Sequence, residues 1–122
     1  MAKKILIADD EPNIVISLEF LMKREGFDVL IANDGDEAVQ RIRGDRPDLV
    51  LLDVMMPKKS GFEVCQEIKS DPALADIRIL MLTAKGRDTE VAKGLALGAD
   101  AYMTKPFATK ELVERVRELL ER

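Results

Sequence analysis

Residues Asp48, Leu49, Val50, Leu51, Leu52 and Asp53 stand between Pro47 and Pro57, with Gly61 closing the stretch. Four consecutive apolar residues with no helical spacing describe a strand buried on both faces, and such a strand belongs in a sheet that helices cover on both sides. Asp53 falls where that strand runs out. An aspartate there has an ordinary explanation, a turn begun by bonding its own backbone, and a less ordinary one, chemistry at the end of a buried strand.

The remaining chain supplies further strands and the helices to cover them. Residues 3–8 form a short apolar strand that ends in Asp9, Asp10 and Glu11 before Pro12 opens a helix. Ile14, Val15, Leu18, Leu21 and Met22 make one helical stripe, and Gly26 stops it; Ile16 and Phe20 fall outside that stripe. A second strand is predicted over 27–32, then a helix from a capping-box-like Asp34 and Glu37 through Arg43, ended by the stretch 44–47. A third helix follows over 61–69, with a turn at Asp71 and Pro72. The fourth strand spans 77–83 and the fourth helix 87–97, with Gly94 inside costing about 1 kcal/mol relative to alanine. A fifth strand over 100–104 leads through Lys105, Pro106 and Phe107 to a last helix with Leu112, Val113, Val116, Leu119 and Leu120 as its core stripe.

Strands and helices alternating at these spacings require parallel strands joined by right-handed crossovers, which is the doubly wound α/β class with five strands and five helices. Ligands of such sheets gather outside the carboxyl ends of the strands. That edge receives Asp9 and Asp10 from the first strand, Asp53 from the third, Thr83 from the fourth and Lys105 from the fifth. Each has a plain use alone: a helix cap, a β-branched strand residue, a solvated charge. Their meeting at one rim calls for a common reason.

Composition narrows that reason. At 122 residues and 47% hydrophobic, the chain is read as one domain over 1–122. It has no histidine, so any phosphohistidine in its chemistry belongs to a partner. Cys65, the single cysteine, sits in an apolar helical pattern and reads as a core thiol. The net charge is −4 and the 19 basic residues are interleaved with acids, so no nucleic-acid footprint is present. No transmembrane or secretory pattern is found, and a cytoplasmic location is expected.

Three carboxylates crowded at one edge repel each other by about 4 kcal/mol per pair at ~4 Å and an effective dielectric near 20. Oxygen ligands without histidine or cysteine select a hard cation, and an open site with few carboxylates fits Mg²⁺ better than Ca²⁺. Asp10 and Asp53 are the best direct ligands, with Asp9 acting through water. A cation there lets an anionic phosphoryl group approach the Asp53 carboxylate, while Lys105 and the Thr83 hydroxyl bind phosphoryl oxygens and small Ala84 leaves room.

Asp9 and Asp10, Asp53 with Met56, Pro57 and Gly61, Thr83 with Ala84, Gly98 to Asp100, and Lys105 to Phe107 together resemble the receiver domain of two-component response regulators, the CheY-like family, over essentially the whole chain. The resemblance implies a flavodoxin-like sheet of order 2-1-3-4-5 and phosphorelay signalling. It implies that Asp53 accepts a phosphoryl group from a histidine kinase or a histidine phosphotransfer protein. The Met55 carbonyl would complete the Mg²⁺ ligation, Thr83 would move inward on phosphorylation, and Tyr102 would follow as the switch aromatic. It also implies a cis bond between Lys105 and Pro106. The fourth helix, fifth strand and fifth helix would form the face that changes, and the chain would be no enzyme beyond its own phosphorylation and dephosphorylation. The weak helix around Gly94 suits a segment that shifts.

Some positions depart from the family. Glu111 and Arg115 are kept where members dimerise through the last helices and strand, but Val91 and Ala101 replace the ionic partners, so a monomer or a weak phosphorylation-dependent dimer is expected. Met55 and Lys85 flank the site and are expected to shield a long-lived phosphoryl form. Ile16 and Phe20 either pack on the last helix or form an apolar patch for a kinase helix. No output domain is expected within these residues, and the downstream target is unknown. Three other readings compete. A phosphorylation-independent binding module would leave the acids, Thr83 and Lys105 without a purpose. A haloacid-type phosphohydrolase would want its aspartates one residue apart, whereas Asp9 and Asp10 are adjacent. A flavin binder of the same fold would need a Gly/Ser/Thr phosphate loop after the first strand, and only 4% of residues are aromatic.

Overall fold

A computed structural model describes residues 2–84 and 88–121, and within these the side chains of all but Ala84, Asp88 and Glu90. Its strands are β1 (Lys4–Ala8), β2 (Asp28–Ala32), β3 (Leu49–Asp53), β4 (Arg78–Ala84) and β5 (Ala101–Lys105). They alternate with α1 (Pro12–Arg24), α2 (Gly35–Asp45), α3 (Gly61–Lys69), α4 (Asp88–Ala96) and α5 (Thr109–Leu120). Every strand pair is parallel, and the sheet order is β2-β1-β3-β4-β5. Among the described residues no helix is long and apolar enough to cross a membrane.

The unpatterned apolar runs follow from the two covered faces. Leu6, Val50, Leu52, Ile79 and Met81 point into one core with Val39, Ile42, Val64, Cys65 and Ile68 of α2 and α3. Their neighbours Ile5, Ile7, Leu49, Leu51, Leu80 and Leu82 point into the other, against Leu18 and Met22 of α1 and Leu112, Val116 and Leu119 of α5. Because successive side chains alternate between two dry faces, no polar position is left in β3 before Asp53. Cys65 is fully buried, and burial pushes its thiol up to about 11, the unreactive core thiol expected.

Boundaries differ from expectation where tertiary contacts override local signals. The α2 helix runs through Gly44 to Asp45 and ends on Arg46 in the left-handed region, φ 47°, whose N–H still donates to the Ile42 carbonyl. Its start is as predicted, with the Asp34 side chain accepting from the Glu37 N–H at 2.8 Å. The β4 and β5 strands each begin one residue later than predicted, and Lys105 becomes the last residue of β5. Phe27 precedes β2, its N–H bonded to the Met22 carbonyl. Ile14, Val113 and Leu120 are only partly buried. The predicted start of the fourth helix at Arg87 lies outside the described residues, as does Lys85. Ile16 and Phe20 are not buried by α5: they stay 64% and 67% exposed.

Candidate functional site

Parallel topology brings the carboxyl ends of β1, β3, β4 and β5 to one edge. Asp9 follows β1 and is fully buried; Asp53 ends β3 and is 5% exposed; Asp10 is exposed on the solvent side. One ligand oxygen from each of the three lies within 4.8 Å of the others. Asp9 also does local work, accepting the Glu11 N–H at 2.9 Å and so shaping the turn into α1. The ordinary role of an aspartate at a strand end is thus real for Asp9 and coexists with the cluster.

Lys105, delivered by the end of β5, supplies the positive charge. Its Nζ lies 2.9 Å from Asp9, 3.3 Å from Asp53 and 3.3 Å from Glu11. Glu11 was not singled out from the sequence, although its place as the third acid after β1 was a usable signal. Burial, reinforced by the Asp9 charge, raises the Asp53 carboxyl to about 6, with Lys105 and a hydrogen bond from the Met55 N–H pulling the other way. Burial opposes the Lys105 charge, but its bond to Asp9 and the nearby Asp53 and Asp9 charges outweigh it, and the ammonium titrates above its ordinary value.

Thr83 is buried, and its hydroxyl donates to the Met103 carbonyl at 3.5 Å. Tyr102 is 41% exposed on the outer rim, facing a hollow lined also by Thr104, Phe107, Glu111 and Arg115. Thr83 is therefore engaged toward β5, while Asp9, Asp53 and Lys105 form the hydrogen-bonded centre. The Lys105–Pro106 peptide bond is cis. Met55 lies at the rim with its side chain largely exposed, lining a groove with Asp10, Met56, Pro57 and Ser60. Ala84 ends β4 at the expected edge, with its side chain outside the described set.

The donor set fits a hard divalent cation: carboxylate oxygens only, two of them buried, with the exposed Asp10 side open to water. A profile of the response regulator receiver domain matches residues 5–117. The chain belongs to that family. The receiver is 47% identical over 122 residues to PhoP of Bacillus subtilis, the alkaline phosphatase synthesis transcriptional regulatory protein, covering all of this chain and 50% of that protein. It thus spans about half the length of that relative. A proposed response regulator from Chloroflexus aurantiacus superposes with a TM-score of 0.97 at 35% identity over all of both chains. The receiver domain of a histidine kinase from Syntrophus aciditrophicus gives 0.92 at 33% identity, covering 98% of this chain and 91% of the other. This receiver is a signalling domain of two-component phosphorelay, with the CheY-type fold.

Proposed function

We propose that Asp53 is the phosphoryl acceptor, taking the group from a phosphohistidine of a partner histidine kinase or phosphotransfer protein in a Mg²⁺-dependent reaction. The observation that carries this is the Asp53 carboxylate at the end of β3, flanked by Asp9 and held 3.3 Å from the Lys105 ammonium. Asp9, Asp10, Asp53 and the Met55 carbonyl would hold the ion, which when bound offsets negative charge on carboxylate and phosphoryl oxygens alike. A carboxyl titrating near 6 is largely ionised at pH 7, so Asp53 can attack phosphorus as the donor's P–N bond breaks and the imidazole leaves with the electron pair. Lys105 then neutralises phosphoryl oxygen, and the Thr83 hydroxyl, released from Met103, can donate to another. That release loosens β4 from β5 beside Tyr102, altering the face of α4, β5 and α5 that controls a downstream partner.

The exposed Ile16 and Phe20, which form an apolar depression with Leu21, Arg24 and Thr109, serve as the kinase-docking patch. Phe20→Ala should slow transfer from a cognate kinase and leave phosphorylation by a small acyl phosphate unchanged. The whole of 1–122 acts as one cytoplasmic receiver, monomeric or weakly dimeric when phosphorylated, with a long-lived phosphoryl form that a half-life of seconds would refute. The central test is intact-mass measurement after incubation with Mg²⁺ and an acyl phosphate. A phosphoryl increment is expected in the unaltered chain and not in Asp53→Asn; an increment that survives the substitution would overturn the assignment.

A further inference from the structure

The β3 to α3 loop, residues 54–60, carries Met55 and is closed at its far end by Gly61. The Gly61 N–H donates to the Val54 carbonyl at 2.8 Å, and a Cβ there would overlap the Asp53 carbonyl oxygen. That glycine belongs to the motif read from the sequence. Gly35 does not. It opens α2, is buried, and donates its N–H to the Pro57 carbonyl at 3.2 Å, the same oxygen that accepts the Lys59 N–H at 2.9 Å. A Cβ on Gly35 would overlap the Lys59 carbonyl oxygen and Cβ and lie 2.6 Å from its carbonyl carbon. No left-handed backbone is involved, so the requirement is for space. Beside this contact Lys58 Nζ and Asp34 lie 3.7 Å apart, a second tie between the loop and the start of α2.

We infer that Gly35 is a positioning residue for the divalent-cation site: by letting the first turn of α2 abut Pro57 to Lys59, it sets where Met55 stands against Asp53. The inference rests on the reading that Asp9, Asp10 and Asp53 hold such an ion. A methyl at Gly35 must push backbone, which has no rotamer to escape into, by on the order of 1 Å to reach ordinary contact. Met55, two residues from Pro57, donates its N–H to the Asp53 carboxylate, so a displaced loop disturbs that carboxylate directly. Mg²⁺ demands near-ideal octahedral geometry and does not adapt to such a shift. Lys59 and Pro57 supply none of the proposed ligand oxygens; their effect is that of an outer support.

The test uses the whole chain and Mg²⁺ alone, titrated by calorimetry and by backbone amide NMR. On α2 itself, Gly44 gives a control, because a Cβ there meets nothing within 4 Å. Gly44→Ala should bind Mg²⁺ as the unaltered chain does and unfold at a higher temperature. Gly35→Ala should bind about tenfold more weakly, and adding Gly44→Ala should restore stability but not affinity. Without any substitution, Mg²⁺ should shift the Gly35 amide together with that of Met55 and leave Gly44 still. Unchanged affinity in Gly35→Ala, affinity recovering with stability in the double variant, or a silent Gly35 amide would each overturn the inference. No Mg²⁺ binding by the unaltered chain would instead overturn the metal reading beneath it.

Discussion

Lys105 Nζ and Asp53 Oδ1 stand 3.3 Å apart although 52 positions separate them in the chain. The parallel crossovers create this pair, since β5 reaches the site only through β4. Lys105 also lies 2.9 Å from Asp9, so one ammonium offsets the mutual repulsion of two buried carboxylates. Lys105→Met keeps the alkyl stem and removes the charge. In metal-free buffer at pH 7 it should destabilise the fold by about 2–3 kcal/mol, somewhat under the usual cost of breaking a buried pair because Asp53 can take a proton. Mg²⁺ should recover part of the loss, and urea unfolding with and without the ion reads both.

Asp53 makes stability depend on pH in the reverse of the usual carboxylate sense. Its carboxyl sits near 6 in the fold against 3.8 for the ordinary group, chiefly through burial. Between those values the folded chain holds a proton that the unfolded chain has lost, so this stabilising contribution is full below about 3.8 and gone above about 6. Asp53→Asn cannot titrate. Relative to the unaltered chain it should gain on the order of 3 kcal/mol between pH 4 and pH 8 without metal. Saturating Mg²⁺ should shrink that gain, since the ion favours the charged carboxylate. A pH series of urea midpoints tests the sign: a flat difference would mean Asp53 is not perturbed.

Gly94 weakens α4 without a packing reason. A Cβ there would lie 3.5 Å from Met81 Cγ and 3.8 Å from the Phe62 ring, ordinary contact distances. Gly94→Ala should therefore stabilise the fold by about 0.5–1 kcal/mol, the helix-propensity gain. Thermal unfolding reads this directly, and a lower midpoint would show that the space is tighter than these contacts indicate.

The sequence made the sheet legible because β1, β3 and β4 are dry on both faces and so nearly devoid of polar positions until their carboxyl ends. Asp9, Asp53 and Thr83 were legible for the same reason, each being the first polar residue after such a run, whereas Lys105 follows Tyr102 and Thr104 on β5 and stood out through its place at a strand's carboxyl end and its family resemblance. The helix-face arithmetic also placed Ile16 and Phe20 off the stripe of α1, but whether α5 would cover them depended on how two distant helices pack. Gly44 misled for a local reason: an exposed glycine lowers helix propensity without forbidding it, and the chain turns at Arg46 instead. Glu11 stood as the third acid after β1, but its meeting with Lys105, like that of Gly35 with Lys59, joins segments remote in sequence, and no local pattern names the partner.

Lys69 and Asp100 are such a meeting with a structural purpose. The Lys69 ammonium, on the last residue of α3, lies 2.9 Å from Asp100 and donates to the carbonyls of Ala75 at 3.0 Å and Ile77 at 2.8 Å. Asp100 in turn accepts the Ile79 N–H at 2.8 Å, so the pair ties the end of α3 to the entries of both β4 and β5. Gly98, with φ 106°, lets the turn into β5 close over the Lys69 stem, where a Cβ would come within 3.1 Å of its Cγ. Lys69→Met retains that stem but strands a partly buried carboxylate and two carbonyls, and should cost about 2–4 kcal/mol. Adding Asp100→Asn removes the orphaned charge while an amide oxygen can still receive the Ile79 N–H. The double variant should therefore be more stable than Lys69→Met alone, and urea unfolding of the two singles and the double gives the coupling. Additive losses would show that the ammonium acts through the carbonyls alone, and that the Asp100 charge is met by solvent.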